Sequence, residues 1–159
     1  MASRRSAGRD MVLHLPAAPM RMTPETIEGG CQCGAVRYAI SGTPVMTAIC
    51  HCTMCRRANA APAVAWAMFK QSDVAFAGAS LKLYASSPEA RRGFCDACGT
   101  QVSFVASFLP GLIDITIGSL DDPERLPPQF HYSYATHLGW VEFSDTLPKY
   151  PGLPPQAEG

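Results

Sequence analysis

Seven cysteines in 159 residues are the strongest constraint on what this chain can fold into, because they fall in tight groups instead of the even framework of a disulfide scaffold. Cys31-Gln32-Cys33-Gly34 and Cys95-Asp96-Ala97-Cys98-Gly99-Thr100 are two close pairs. The second has the shape of a zinc knuckle, in which two thiolates bracket two residues and the following glycine lets the backbone turn toward the sulfurs. The first, with one residue between, is spaced badly for a disulfide within the pair. Together they supply four sulfurs, a tetrahedral shell. Closing the long loop from Cys33 to Cys95 costs about 3 to 4 kcal/mol, whereas structural zinc contributes roughly 10 to 16 kcal/mol. The metal outweighs the loop. Buried small hydrophobes or redox thiols are the plainer readings of the same residues.

Cys50, Cys52 and Cys55 remain, in the run Cys50-His51-Cys52-Thr53-Met54-Cys55. Three thiolates on a turn and the beginning of a helix can bind one face of a zinc ion and leave a fourth position exchangeable, the pattern of catalytic sites. His51 is wedged between two candidate ligands, so its ring is expected to point away from their metal. His131, His137 and Asp114 are other donors, each readable as an ordinary strand or loop residue. The common iron–sulfur spacings with a closing proline are absent.

Thirteen basic residues balance thirteen acidic ones, which gives no basic footprint for nucleic acid. No run approaches the roughly 20 apolar residues of a membrane span. Arg4, Arg5 and Arg9 precede a weakly apolar stretch, as in an export or transit address, but His14, Pro16 and Pro19 interrupt it. Residues 1–25 are therefore expected to be a disordered tail, 26–150 one domain and 151–159 a second tail. The odd cysteine count and metal-like spacing favour the inside of a cell, and the expectation is a cytoplasmic protein.

Within 26–150 the apolar residues mostly alternate with period two, which predicts an all-β fold of antiparallel sheets with short helical turns. Strands are expected at 35–40, 63–69, 74–76, 81–85, 92–95, 101–105, 112–117 and 129–134, each packing on one side. Ile113, Ile115 and Ile117 alternating with Asp114 and Thr116 are the clearest case. Helical turns are expected at 53–57 and 119–124.

Four segments, Gly30-Cys31-Gln32-Cys33-Gly34-Ala35-Val36-Arg37-Tyr38, Cys50 to Arg57, Gly93-Phe94-Cys95-Asp96-Ala97-Cys98-Gly99-Thr100 and Ile117-Gly118-Ser119-Leu120-Asp121-Asp122-Pro123, together resemble the glutathione-dependent formaldehyde-activating enzymes, also called the GFA or centromere-protein-V domain family. The resemblance runs from Ile27 to Tyr150. It implies an Mss4-like (β-tent) fold with two zinc ions and carbon–sulfur lyase activity. Carried over by motif, Cys31, Cys33, Cys95 and Cys98 hold the structural zinc, and Cys50, Cys52 and Cys55 are catalytic residues at the second.

The implied reaction joins glutathione to formaldehyde as S-hydroxymethylglutathione, or reverses that step; another small thiol or a related aldehyde fits the same chemistry. Zinc suits a sulfur substrate, but three thiolates leave the site negative, so a nearby cation is wanted. Arg56 and Arg57 follow the trio and are the expected contacts for glutathione carboxylates. Arg37, Lys70, Arg91 and Arg92 lie near other motifs, and Trp66, Phe69, Phe94 and Phe104 are aromatic residues for a pocket or the core. No general base is identified. The reading leaves room for a homodimer. Its rivals are a non-catalytic zinc scaffold for protein partners and a thiol redox sensor.

Overall fold

The structure, a computed structural model, describes residues 26–155; the tail expected at 1–25 and the last four residues lie outside the described residues. Ten strands form two sheets: β1 (Ile27–Gly30), β2 (Arg37–Ile40), β3 (Met46–Cys50), β4 (Val64–Lys70), β5 (Val74–Ala77), β6 (Leu81–Ser87), β7 (Ala90–Cys95), β8 (Gln101–Ala106), β9 (Leu112–Thr116) and β10 (Phe130–Tyr132). One helix, α1 (Thr53–Asn59), follows β3. The order is β1-β2-β5 in the small sheet and β10-β3-β4-β9-β8-β7-β6 in the large one, antiparallel throughout except where β10 runs parallel to β3. The architecture is all-β and Mss4-like.

Side chains alternate across a strand, and here the alternation sorts residues between two cores. Tyr38 and Ile40 from β2, Ala67 and Phe69 from β4 and Ile113 and Ile115 from β9 meet in the main core between the sheets, joined by Val36 and Ile117. The other face of the large sheet carries a smaller cluster of Cys50, Val64 and Trp66, with Cys52, Cys55, Phe104 and Tyr132 against it. A slip in register between β7 and β8, where Gly93 faces Ser103 but Phe94 faces Gln101, makes Val102 the extra residue. Val102 thereby packs in the main core while Phe104 turns to the second face.

Three details differ from the sequence-based expectation. Strand β9 does not pack on one side, since Asp114 and Thr116 are as buried as the isoleucines between them. Strands β1 and β3 were not expected; β3 is covered on both faces and so carries no alternation to read. In place of a helical turn at 119–124 there are two 3₁₀ turns, Ile117–Ser119 and Pro123–Arg125, the second begun by Pro123.

The segment after β10 laps back along the β10 edge of the large sheet. His131 bridges Lys149 in parallel, the Tyr150 amide donates to the His131 carbonyl at 2.9 Å, and Ser133 and Ala135 amides reach the carbonyls of Gly152 and Pro151.

Candidate metal centre and the thiol-lined face

Cys31 follows β1 and Cys95 ends β7, so each cysteine pair occupies a tight turn at a strand end. The Gly34 amide closes on the Cys31 carbonyl at 3.0 Å and the Gly99 amide on the Cys95 carbonyl at 2.8 Å. Both glycines have positive φ, 79° and 78°, with open space where a Cβ would lie. Their role is conformational, since a side chain would be strained there without clashing. The Gln32 amide donates to Thr100 Oγ1 at 3.2 Å and knits the two turns together.

The four sulfurs of Cys31, Cys33, Cys95 and Cys98 all lie within 4.8 Å of one another. Sulfurs at the corners of a zinc tetrahedron stand about 3.8 Å apart, given a Zn–S bond of ~2.3 Å. Cys31 to Cys33 is 3.5 Å and Cys33 to Cys95 is 3.8 Å, while all seven cysteines are free thiols. The set fits zinc. Local donors favour the thiolate at two of the four: the Thr100 hydroxyl and amide bring Cys98 down to about 5, whereas burial pushes Cys95 up and, against the Ala35 amide, the Cys31 and Cys98 thiols push Cys33 up to about 12. Burial works against ionisation of Cys31, but the Val36 amide, 3.2 Å from its sulfur, draws it below the ordinary thiol value.

Cys50, Cys52 and Cys55 are assembled from three different local structures. Cys50 ends β3 and points to the second face, Cys52 caps α1, and Cys55 lies in its first turns. Cys50 is fully buried and the Cys52 amide donates to its sulfur at 3.4 Å. Cys50 and Cys52 both favour the thiolate of Cys55. Among the described residues the four-cysteine group is the compact metal-ligand set, and this trio does not close to the same degree.

What surrounds the trio is set by strand register. Arg92 stands opposite Phe104, Phe104 opposite Asp114, Asp114 opposite Met68 and Met68 opposite Met46, one row across five strands. Directly paired residues share a face; the row therefore lies on the Cys50 side. Tyr132 pairs with Cys50 itself. The Arg92 guanidinium stacks 4.9 Å over the Phe104 ring and reaches 3.8 Å from Cys55 Sγ. A hydrogen bond from Cys50 and the Arg92 charge lower Cys55 to about 6, whereas the bond to Cys55 and burial push Cys50 far up. Burial raises Asp114 to about 7, helped by the Cys55 charge, and burial beside Cys50 likewise raises Tyr132. Next to this cluster runs a groove of about 320 Å³ between Asn59, Ala61, Val64, Gln101, Thr116 and Ser119. Asn59 also donates to the Cys55 carbonyl at 3.0 Å.

His51 turns away from its two cysteine neighbours. Its Nε2 lies 2.8 Å from His131 Nδ1, and His131 Nε2 lies 3.0 Å from Asp145, which also meets Lys149 at 3.2 Å. Tyr134 and Phe143 close over the His51 ring. His137 stacks on Tyr134, so neither it nor His131 joins the cysteines. Arg57 is exposed, and Arg56 is half-buried with its Nε enclosed and without a partner. Arg37 is committed to a bidentate pair with Asp121. Arg91 bonds backbone carbonyls, Lys70 is exposed, Phe69 is core, and Trp66 and Phe104 line the thiol face. Sequence reasoning named Arg92 without a place at the trio and Asp114 as a further donor for its metal, and it passed over Tyr132. The usable signal was an acidic residue inside a strand whose neighbours are all β-branched.

Comparison with known proteins is consistent with this geometry. No curated protein matches the chain. A crystal structure of a Rhodobacter sphaeroides protein from a structural genomics programme superposes with a TM-score of 0.52 at 24% identity, over 62% of this chain and 93% of that one, a likeness of fold. Residues 26–136 match the glutathione-dependent formaldehyde-activating enzymes, which places the four-sulfur cluster, the trio and the face around it inside the matched region. No helix among the described residues is long and apolar enough to cross a membrane. The chain belongs to the glutathione-dependent formaldehyde-activating enzyme family.

Proposed function

We propose that residues 26–150 form a zinc-dependent carbon–sulfur lyase that makes or cleaves the adduct of glutathione, or another small thiol, with formaldehyde or a related aldehyde. Cys31, Cys33, Cys95 and Cys98 hold a structural zinc. Cys50, Cys52 and Cys55 are the catalytic cysteines and the ligands of a second. A zinc at the trio supplies Lewis acidity and keeps a substrate thiol ionised at neutral pH.

The observation that carries this reading is a thiol trio beneath a buried guanidinium, beside a groove large enough for part of a small peptide. Arg92 offsets the negative charge that three thiolates create, the cation such a site requires. The peptide part of glutathione lies along the groove, where Gln101 has an unpartnered Nε2, and its carboxylates meet Arg56 and Arg57. In the forward direction the thiol gives its proton to water, the thiolate electron pair forms the sulfur–carbon bond, the carbonyl π pair moves to oxygen, and that oxygen takes the proton back from water. The reverse step returns thiol and aldehyde.

Exchange between formaldehyde hydrate and S-hydroxymethylglutathione, followed by nuclear magnetic resonance, tests the reading. Wild type is expected to accelerate the exchange and Cys52→Ser to abolish that acceleration. A wild-type protein that leaves the exchange at its spontaneous rate would instead favour the non-catalytic scaffold.

A further inference from the structure

Buried polar atoms in folded proteins nearly always have a partner, and each exception calls for a reason. Among the described residues five buried side-chain atoms have none: His51 Nδ1, Arg56 Nε, Arg92 Nη1, Gln101 Nε2 and Asp114 Oδ1. Three of these side chains are buried as a whole, His51, Arg92 and Asp114, but His51 is engaged with His131 and turned away from the cysteines, which leaves Arg92 and Asp114. Arg92 and Asp114 are only 7% and 6% exposed, yet each keeps an unsatisfied atom on the thiol face. Leaving such groups unpaired carries the full cost of removing them from water.

Their placement is specific. Arg92 on β7 and Asp114 on β9 flank Phe104 on β8 in direct register, so their backbones stand about 10 Å apart, two strand spacings. They form no ion pair with each other. The guanidinium lies over the Phe104 ring with Nη2 toward Cys55 Sγ, and Nη1 is left over. The Cys55 charge also acts on Asp114, which shares its sheet face with Arg92.

The two orphans have opposite chemistry. A guanidinium N–H can only donate, whereas a carboxylate oxygen accepts. A carbonyl oxygen satisfies the first alone, and an alkyl thioether satisfies neither. A hydroxyl accepts and donates through one oxygen. We propose that Arg92 and Asp114 form the subsite for the hydroxyl of a sulfur adduct, with Arg92 Nη1 donating to its oxygen and Asp114 Oδ1 accepting its hydrogen. The pair then recognises the hydroxymethyl product of the reaction over the bare thiol or a simple thioether; this rests on the function proposed above.

Calorimetric titration separates the two claims. The zinc-loaded protein is titrated with S-methylglutathione and with S-hydroxymethylglutathione formed from glutathione and formaldehyde, in wild type, Asp114→Leu and Arg92→Lys. Wild type is expected to bind the hydroxymethyl adduct at least tenfold more tightly, as for a hydrogen bond to a charged group. Each variant is expected to lose about tenfold of that preference and to keep its affinity for S-methylglutathione, which also reports that the site is folded. If one variant fails to bind the thioether, the other decides. Equal preference in wild type and variant overturns the subsite and leaves glutathione recognition standing; wild type that binds neither thioether overturns both.

Discussion

Asp114 is the residue at which burial and charge conflict most openly. Its carboxyl is held near 7, mainly by burial, against an ordinary value of about 4. Between those values the folded chain keeps a proton that the unfolded chain has shed, so the residue's contribution to stability falls as pH rises from about 4 to about 7 and is flat above. Asp114→Asn removes the titration. Relative to wild type it should gain on the order of 2 kcal/mol between pH 5 and pH 8, measured by denaturant unfolding at both values. An unchanged difference would mean that the carboxyl ionises freely. Alternation among isoleucines identified the strand around Asp114, but its depth was not legible, because the cover on the second face comes from residues far away in sequence, Cys55 and Tyr132 among them. Arg92 was hidden for the same reason: its neighbours are set by register across β7, β8 and β9.

The elements behave differently according to how much of their support is local. The two cysteine turns were readable because each pair and its following glycine sit within five residues. Strand β1 was not, being half glycine, and its glycines are there for space. A Cβ at Gly29 would collide with the Tyr38 hydroxyl and the Ser119 carbonyl. Gly29→Ala should therefore cost about 1 to 3 kcal/mol, seen as a lowered melting temperature. The C-terminal lap depends on a chain that runs from buried His51 and His131 out to Asp145 at the surface. Burial holds His51 down at about 4, aided by the neighbouring His131 and His137. The unfolded state takes up its proton near pH 6.5, so this contribution is present at neutral pH and is lost as pH falls from about 6.5 to about 4. Hydrogen exchange at the Tyr150 and His131 amides, corrected for intrinsic rate, should quicken between pH 7 and pH 5 more than exchange in β4. Asp145→Ala should produce the same loosening at neutral pH, since it leaves His131 Nε2 without an acceptor. Equal protection in wild type and variant would show the lap to be held by other contacts.

For the whole molecule the two thiol groups carry different burdens. The four-cysteine cluster ties the end of β1 to the end of β7, joining the small sheet to the large one across 62 residues of chain between Cys33 and Cys95. A structural zinc worth roughly 10 to 16 kcal/mol matches or exceeds the 5 to 15 kcal/mol by which a domain is normally stable. Cys98→Ser should therefore abolish cooperative unfolding. The trio lies at the end of β3 and in α1, and the sheet is complete without it. Zinc content and thermal melting of wild type, Cys52→Ser and Cys98→Ser, prepared side by side, test this division most directly. The account predicts that Cys52→Ser carries close to one zinc fewer per chain than wild type and melts at the same temperature, while Cys98→Ser has no cooperative melt. Unchanged zinc in Cys52→Ser, or a melting temperature that falls as far as that of Cys98→Ser, would contradict it.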